Sequence, residues 1–164
     1  MKKYIFLDID GVLNCVGWFR EYQETDGYTE INPEKVRMLK EIVDKTGAEI
    51  ILSSTWRELA AHDSKPDHPM YTYLVNSLKQ FGLYIKDHTP RIQENRPQEI
   101  KAWLEKNTGY GEYTFVSLDD DFPKKEYEKY GIGKCLIKTD FYGVNGGLQR
   151  EHVNKAIQIL NRCI

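Results

Sequence analysis

In the stretch "YIFLDIDGVLN", residues 4–14, two carboxylates, Asp8 and Asp10, stand two positions apart where an apolar strand should end. Side chains two apart in a strand share a face, so extended geometry would crowd two negative charges unless something positive sat between them. Further polar groups follow other apolar runs: "SSTWR" at 53–57, Arg96 just before Pro97, and Asp119, Asp120 and Asp121 in a row. Four or five carboxylates in one cleft repel strongly at neutral pH, and a hard divalent cation resolves that repulsion. Oxygen ligands with incomplete protein coordination suit Mg²⁺ better than zinc or copper. Magnesium leaves positions for a phosphate oxygen and waters, so the residues read as a phosphoryl-transfer site.

That reading requires a scaffold that brings the groups together. Short apolar runs, Tyr4 to Leu7, Glu49 to Leu52, Tyr113 to Leu118 and Lys134 to Ile137, alternate with helical patterns, and a weaker run spans Leu83 to Lys86. This is the βαβα rhythm of a parallel sheet covered on both faces. In "INPEKVRMLKEIVDKTG", Asn32 is a cap, Pro33 the first helical residue, Val36, Leu39, Ile42 and Val43 one stripe, and Gly47 the stop. Further helices are expected through Tyr71–Phe81, from Pro97 through Leu104, and from Val153 to the C-terminus. Ligands of open parallel sheets sit beyond the carboxyl ends of the strands, where all of these polar groups would fall.

"DIDGV" after an apolar strand, a Ser-ended second strand, a basic residue before a Pro-started helix and a strand ending in "DD", in this order, resemble the four motifs of the haloacid dehalogenase (HAD) superfamily of phosphatases. The resemblance covers roughly residues 4 to 137. "SSTWR" and the Gly147-Leu148 pair before the last helix resemble, more narrowly, the small HAD domains of RNA-repair-like proteins. The implied fold is α/β, a Rossmann-like parallel sheet with helices on both faces and a minimal cap, with residues 1–164 forming one domain. The aromatic segment 15–31, "CVGWFREYQETDGYTEI", is expected to form a small hairpin flap.

The resemblance implies roles residue by residue. Asp8 matches the nucleophile that takes the phosphoryl group as an aspartyl-phosphate, splitting one hard step into two. Asp10 matches the general acid/base, which protonates the leaving oxygen and then activates water. Ser53 matches the phosphate-binding hydroxyl, with the amide of Ser54 nearby. Arg96 stands where the superfamily more often has Lys and supplies positive charge to the phosphoryl oxygens. The metal set is Asp8, Asp10 through its carbonyl, Asp120 directly, and Asp119 second, directly or through water. Gly11 permits the tight backbone after Asp10 and, with Ser54, Trp56 and Arg57, makes up the expected substrate-binding set. Trp56 and Arg57 are candidates for the substrate entrance, where Arg20, Lys65 and Arg91 could add contacts.

Composition bounds the rest. A chain of 164 residues is the size of one domain, and 40% hydrophobic with 29% charged content is ordinary for a soluble protein. A net charge of −2 gives no basic footprint for tight nonspecific nucleic-acid binding, although a nucleic-acid end could be held locally. Three widely spaced cysteines lack a zinc or disulfide pattern, and the four histidines lack ligand spacing. With no membrane-length apolar run and no signal-like leader, the expectation is a cytoplasmic protein with no obligate protein partner and no membrane attachment. The short insertions imply an open site, which favours nucleotide or polynucleotide ends over a small metabolite that must be sealed from water. Three alternatives stand beside this one: a phosphatase of small metabolites, a receiver-like phospho-Asp signalling module, and a catalytically dead interaction domain.

Overall fold

The computed structural model describes residues 1–21, 31–109, 111–143 and 145–162, without the side chains of residues 20 and 21. In chain order the elements are β1 (Lys2–Leu7), α1 (Val16–Glu21), α2 (Pro33–Thr46), β2 (Glu49–Leu52), α3 (Pro69–Lys79), β3 (Ile85–His88), α4 (Arg96–Thr108), β4 (Tyr113–Asp119), α5 (Lys124–Lys129), β5 (Leu136–Lys138) and α6 (Arg150–Leu160). Short 3₁₀ helices occupy Thr55–Leu59 and Gly133–Cys135. The five strands form one parallel sheet in the order β3-β2-β1-β4-β5.

Strand alternation sorts the core into two layers. Ile5 and Leu7 of β1, Ile50 and Leu52 of β2, and Val116 and Leu118 of β4 pack with Val36, Leu39 and Ile42 of α2, Leu74 and Leu78 of α3, and Val153, Ala156 and Leu160 of α6. Tyr4, Phe6, Ile51 and Phe115 point the other way and pack against Ile100, Trp103 and Leu104 of α4 and Tyr127 of α5. Because both faces are covered, β1 and β2 read as apolar runs from Tyr4 and Ile50 onward, and β4 does so from Phe115 to Leu118 except at the buried Ser117, whose hydroxyl meets that of Tyr127. This is the α/β architecture with helices on both faces that the sequence implied.

The helices begin where their caps dictate. Asn32 accepts from the Glu34 amide at 2.9 Å before α2, and Gly47, at φ 68°, takes the left-handed stop. Asn95 caps α4 by accepting from the Gln98 amide at 3.1 Å, which starts the helix at Arg96, one residue before the expected Pro97. Within the expected hairpin flap, Val16–Glu21 form a helix, α1, instead. Residues 22–30 of that segment lie outside the described residues. Among the described residues, no helix is long and apolar enough to cross a membrane.

Candidate active site

The register of the sheet places the expected residues side by side. Leu7 pairs with Leu52 on one side and Leu118 on the other, so Asp8, Ser53 and Asp119 each stand one position beyond the same rung. The chain runs outward from β1 to β2 and β3 and resumes on the opposite side at β4, which makes the β1/β4 junction the switch point where ligands of open sheets bind. Asp8 and Asp119 flank that junction. Ligand oxygens of Asp8, Asp119 and Asp120 lie within 4.8 Å of one another.

Arg96 is the counter-charge at the centre. From the first turn of α4 its Nη1 donates to Asp8 Oδ2 at 2.6 Å and to Asp119 Oδ1 at 2.5 Å, and its Nε donates to the Ser53 carbonyl at 3.0 Å. Its guanidinium also lies 5.4 Å from the Phe122 ring centroid, a cation–π arrangement. Burial pushes the Asp8 carboxyl up to about 7, with Asp119 adding to the rise and Arg96 opposing it. Burial, with Asp119 and Asp121 alongside, raises Asp120 to about 6. Groups so placed gain from a cation, which favours their ionised form.

Asp119 and Asp120 differ in what they have left to offer. Asp119 is fully buried: its Oδ1 takes Arg96 and the Asp121 amide, and its Oδ2 takes the Tyr127 hydroxyl at 2.6 Å. Asp120 is only half-buried, and its side chain lies over Gly11. A β carbon on Gly11 would meet Asp120 Cγ at 2.2 Å, and φ there is +75°. The Gly11 amide donates to Asn14 Oδ1 at 2.9 Å, and its carbonyl accepts from Thr139 Oγ1 at 2.6 Å. Gly11 therefore makes room for a carboxylate of the acidic cluster. Its placement is structural more than ligand-facing, a change from its expected role beside the substrate.

The second-strand motif divides in an unexpected way. Ser53 is fully buried, and its hydroxyl makes no hydrogen bond among the described residues. Leaving such a group unpaired costs about 1–3 kcal/mol, which a ligand oxygen would offset. Ser54 accepts from the Trp56 amide at 3.3 Å, capping the 3₁₀ helix. Trp56, expected at the substrate entrance, is instead 5% exposed, and its indole N–H donates to Asp10 Oδ2 at 3.0 Å. Arg57 likewise turns inward: it donates to the Ser53 and Ser54 carbonyls and pairs with Glu99 at 3.0 Å, both side chains being buried. Both side chains are fixed by these partners, and Arg57 still lines a small cleft beside Ser53 and Arg96. Arg91 is exposed and paired with Glu58 and Glu94, while Lys65 sits in an exposed turn.

Asp10 is exposed, and its side chain is separate from the acidic trio: Asn14 Nδ2 reaches Oδ1 at 2.9 Å and Trp56 reaches Oδ2. Asn14, Thr139, Tyr127 and Glu99 carry no warning in the sequence, since each acts by contact across the fold rather than by spacing. Two clefts border the cluster. One of about 180 Å³ includes Ser53, Arg57, Arg96 and Phe122, and a broader one of about 770 Å³ runs from Asp120 past Lys138 and Thr139 to Asn145, Gln149 and Arg150. Asp8 lines neither: the smaller cleft presents Ser53 and Arg96, and the larger presents Asp120.

The sheet order, the acidic tips and the basic group at the start of α4 together define a HAD-superfamily domain. More narrowly, the chain belongs to the family described as the HAD domain in Swiss Army Knife RNA repair proteins, which matches residues 4–153. A search of curated proteins finds no match.

Proposed function

We propose that this chain is a Mg²⁺-dependent phosphomonoester hydrolase that removes terminal phosphates from nucleic-acid ends through an aspartyl-phosphate on Asp8. The observation that carries the reading is the bridge from Arg96 to Asp8 and Asp119, with Asp120 within ligand distance and the unpaired Ser53 hydroxyl on the neighbouring strand. Family membership supports hydrolytic chemistry, and the RNA-repair description of the family supports a polynucleotide end. The broad open cleft beside Asp120 gives a long leaving group somewhere to lie.

The donor set suits Mg²⁺: hard carboxylate oxygens, close together, with Asp120 only half-buried. Asp8 and Asp120 would hold the ion, with Asp119 behind them and the Asp10 carbonyl completing the set implied by the resemblance. Bound there, Mg²⁺ neutralises the carboxylates and lets an anionic substrate approach. Ser53 and Arg96 orient the phosphoryl oxygens, and Asp8 Oδ attacks phosphorus as the ester P–O bond breaks. Asp10 gives its proton to the leaving oxygen, then takes one from the water that cleaves the acyl phosphate and frees Asp8. For the receiver-like alternative, β3 ends at His88, and its one carboxylate, Asp87, is taken up by the Trp103 indole N–H at 2.7 Å and the His88 amide at 2.8 Å.

A screen of phosphoesters with Mg²⁺, spanning nucleotides, sugar phosphates and 3′- and 5′-phosphorylated oligonucleotides, tests the proposal. Chelator-sensitive release of phosphate from oligonucleotide ends, lost in Asp8→Asn, is expected. Turnover retained by Asp8→Asn, or no turnover of any ester, would overturn it.

A further inference from the structure

We propose that Trp56 and Asn14 are positioning residues for Asp10, holding both oxygens of the acid/base carboxylate in the orientation its two proton transfers need; this rests on the phosphatase reading above. Asp10 is exposed, and a short exposed side chain is free to rotate unless it is held. Here Oδ1 receives Asn14 Nδ2 at 2.9 Å and Oδ2 receives Trp56 Nε1 at 3.0 Å, fixing both side-chain torsions. The donors are themselves immobile. Asn14 is fully buried and braced by the Gly11 amide, and Trp56 is 5% exposed on the 3₁₀ helix that Ser54 caps.

The two donors come from different places, the turn after β1 and the helix after β2. Asp10 is therefore tied to the same segment that presents Ser53, and the phosphate seat and the acid/base group keep a fixed relation. Each carboxylate oxygen has a second lone pair, so the holding bonds leave a site for the transferred proton. In the first step that proton goes to the ester oxygen as its bond to phosphorus breaks and the bond from Asp8 forms. In the second it comes from water as the water oxygen bonds to phosphorus and the bond to Asp8 breaks.

The test is Trp56→Phe, which keeps an aromatic ring and deletes the N–H. Single-turnover phosphorylation is followed with an alkyl phosphomonoester, whose leaving oxygen needs the proton, and with 4-nitrophenyl phosphate, whose leaving group needs it little. A fall of about 10- to 100-fold for the alkyl ester, against about 3-fold or less for the aryl ester, is expected, with KM little changed. In an Asp10→Asn background the same substitution should have almost no further effect. Equal losses on both esters, or a full loss in the Asp10→Asn background, would mean that Trp56 merely packs, and would overturn the proposal. Independently of turnover, the Trp56 indole N–H proton resonance of the full chain should move upfield in Asp10→Ala; an unmoved resonance refutes the contact. An inactive wild type with a moved resonance would refute the phosphatase reading and, with it, the positioning role, whereas an active wild type indifferent to Trp56→Phe refutes the positioning role alone.

Discussion

Gly11 and Asp120 are in such close apposition that a β carbon on the first would lie 2.2 Å from the carboxyl carbon of the second. The turn after β1 and the tip of β4 are thus packed against each other at the mouth of the site, and a residue that looks like turn punctuation sets where a carboxylate of the acidic cluster can stand. Gly11→Ala should force Asp120 aside and strain a backbone at φ +75°. The expected result is a loss of about 1–3 kcal/mol in denaturant unfolding. Calorimetric titration should also show weaker Mg²⁺ binding.

The buried pair of Arg57 and Glu99 should behave differently from the surface pairs. Its side chains are 7% and 2% exposed, and Glu99 also accepts from the Ile92 amide at 2.8 Å. Removing one partner strands a buried charge, so Glu99→Ala should cost about 3–5 kcal/mol in urea unfolding. Breaking the exposed Arg91–Glu58 pair should leave the unfolding midpoint nearly unchanged.

Stability should depend on pH in a direction set by Asp8 and Asp120. Both have folded-state values, about 7 and about 6, above the ordinary 3.8, so without metal the folded state holds more protons than the unfolded state between about pH 4 and 7. Stability from these groups is then full below pH 4 and declines as pH rises through 7. Thermal melts of metal-free protein should show this fall relative to an Asp8→Asn, Asp120→Asn variant. The stabilisation gained by adding Mg²⁺ should grow over the same range, because the ion binds the deprotonated carboxylates.

Much of this arrangement could be read from residue order. β1, β2 and β4 are buried on both faces near their C-terminal ends, so their residues there are mainly apolar, and the carboxylates beyond them stand out. The weak run at 83–86 becomes β3 two residues later. That edge strand is half-exposed, and its pairing shifts between Ile50 and Ile51, which blurs the alternation. The α5 helix gives no periodic signal because six residues bury one side chain, Tyr127, and that one side chain ties Asp119 to Ser117. Trp56 and Arg57 stood out in the sequence as candidates, but the direction they face was not legible. Their partners, Asp10 and Glu99, are 46 and 42 positions away, and only the fold brings them within hydrogen-bond reach.

Three of the four histidines make contacts within the fold. His68 caps α3 by accepting from the Met70 amide, His88 meets the Tyr71 hydroxyl at 2.8 Å, and His152 accepts from the Gln149 amide at the start of α6. Replacing His88 by Asn should therefore alter stability and leave turnover of an oligonucleotide 3′- or 5′-phosphate within about threefold of wild type, since the residue touches none of the reacting groups.

The central claim is that Asp8 becomes phosphorylated during turnover. Protein mixed with a ³²P-labelled phosphomonoester and Mg²⁺, quenched in acid and digested, should yield label on the peptide containing Asp8, and hydroxylamine should release it as expected of an acyl phosphate. Turnover without any label on that peptide, or label on another residue, would contradict the account.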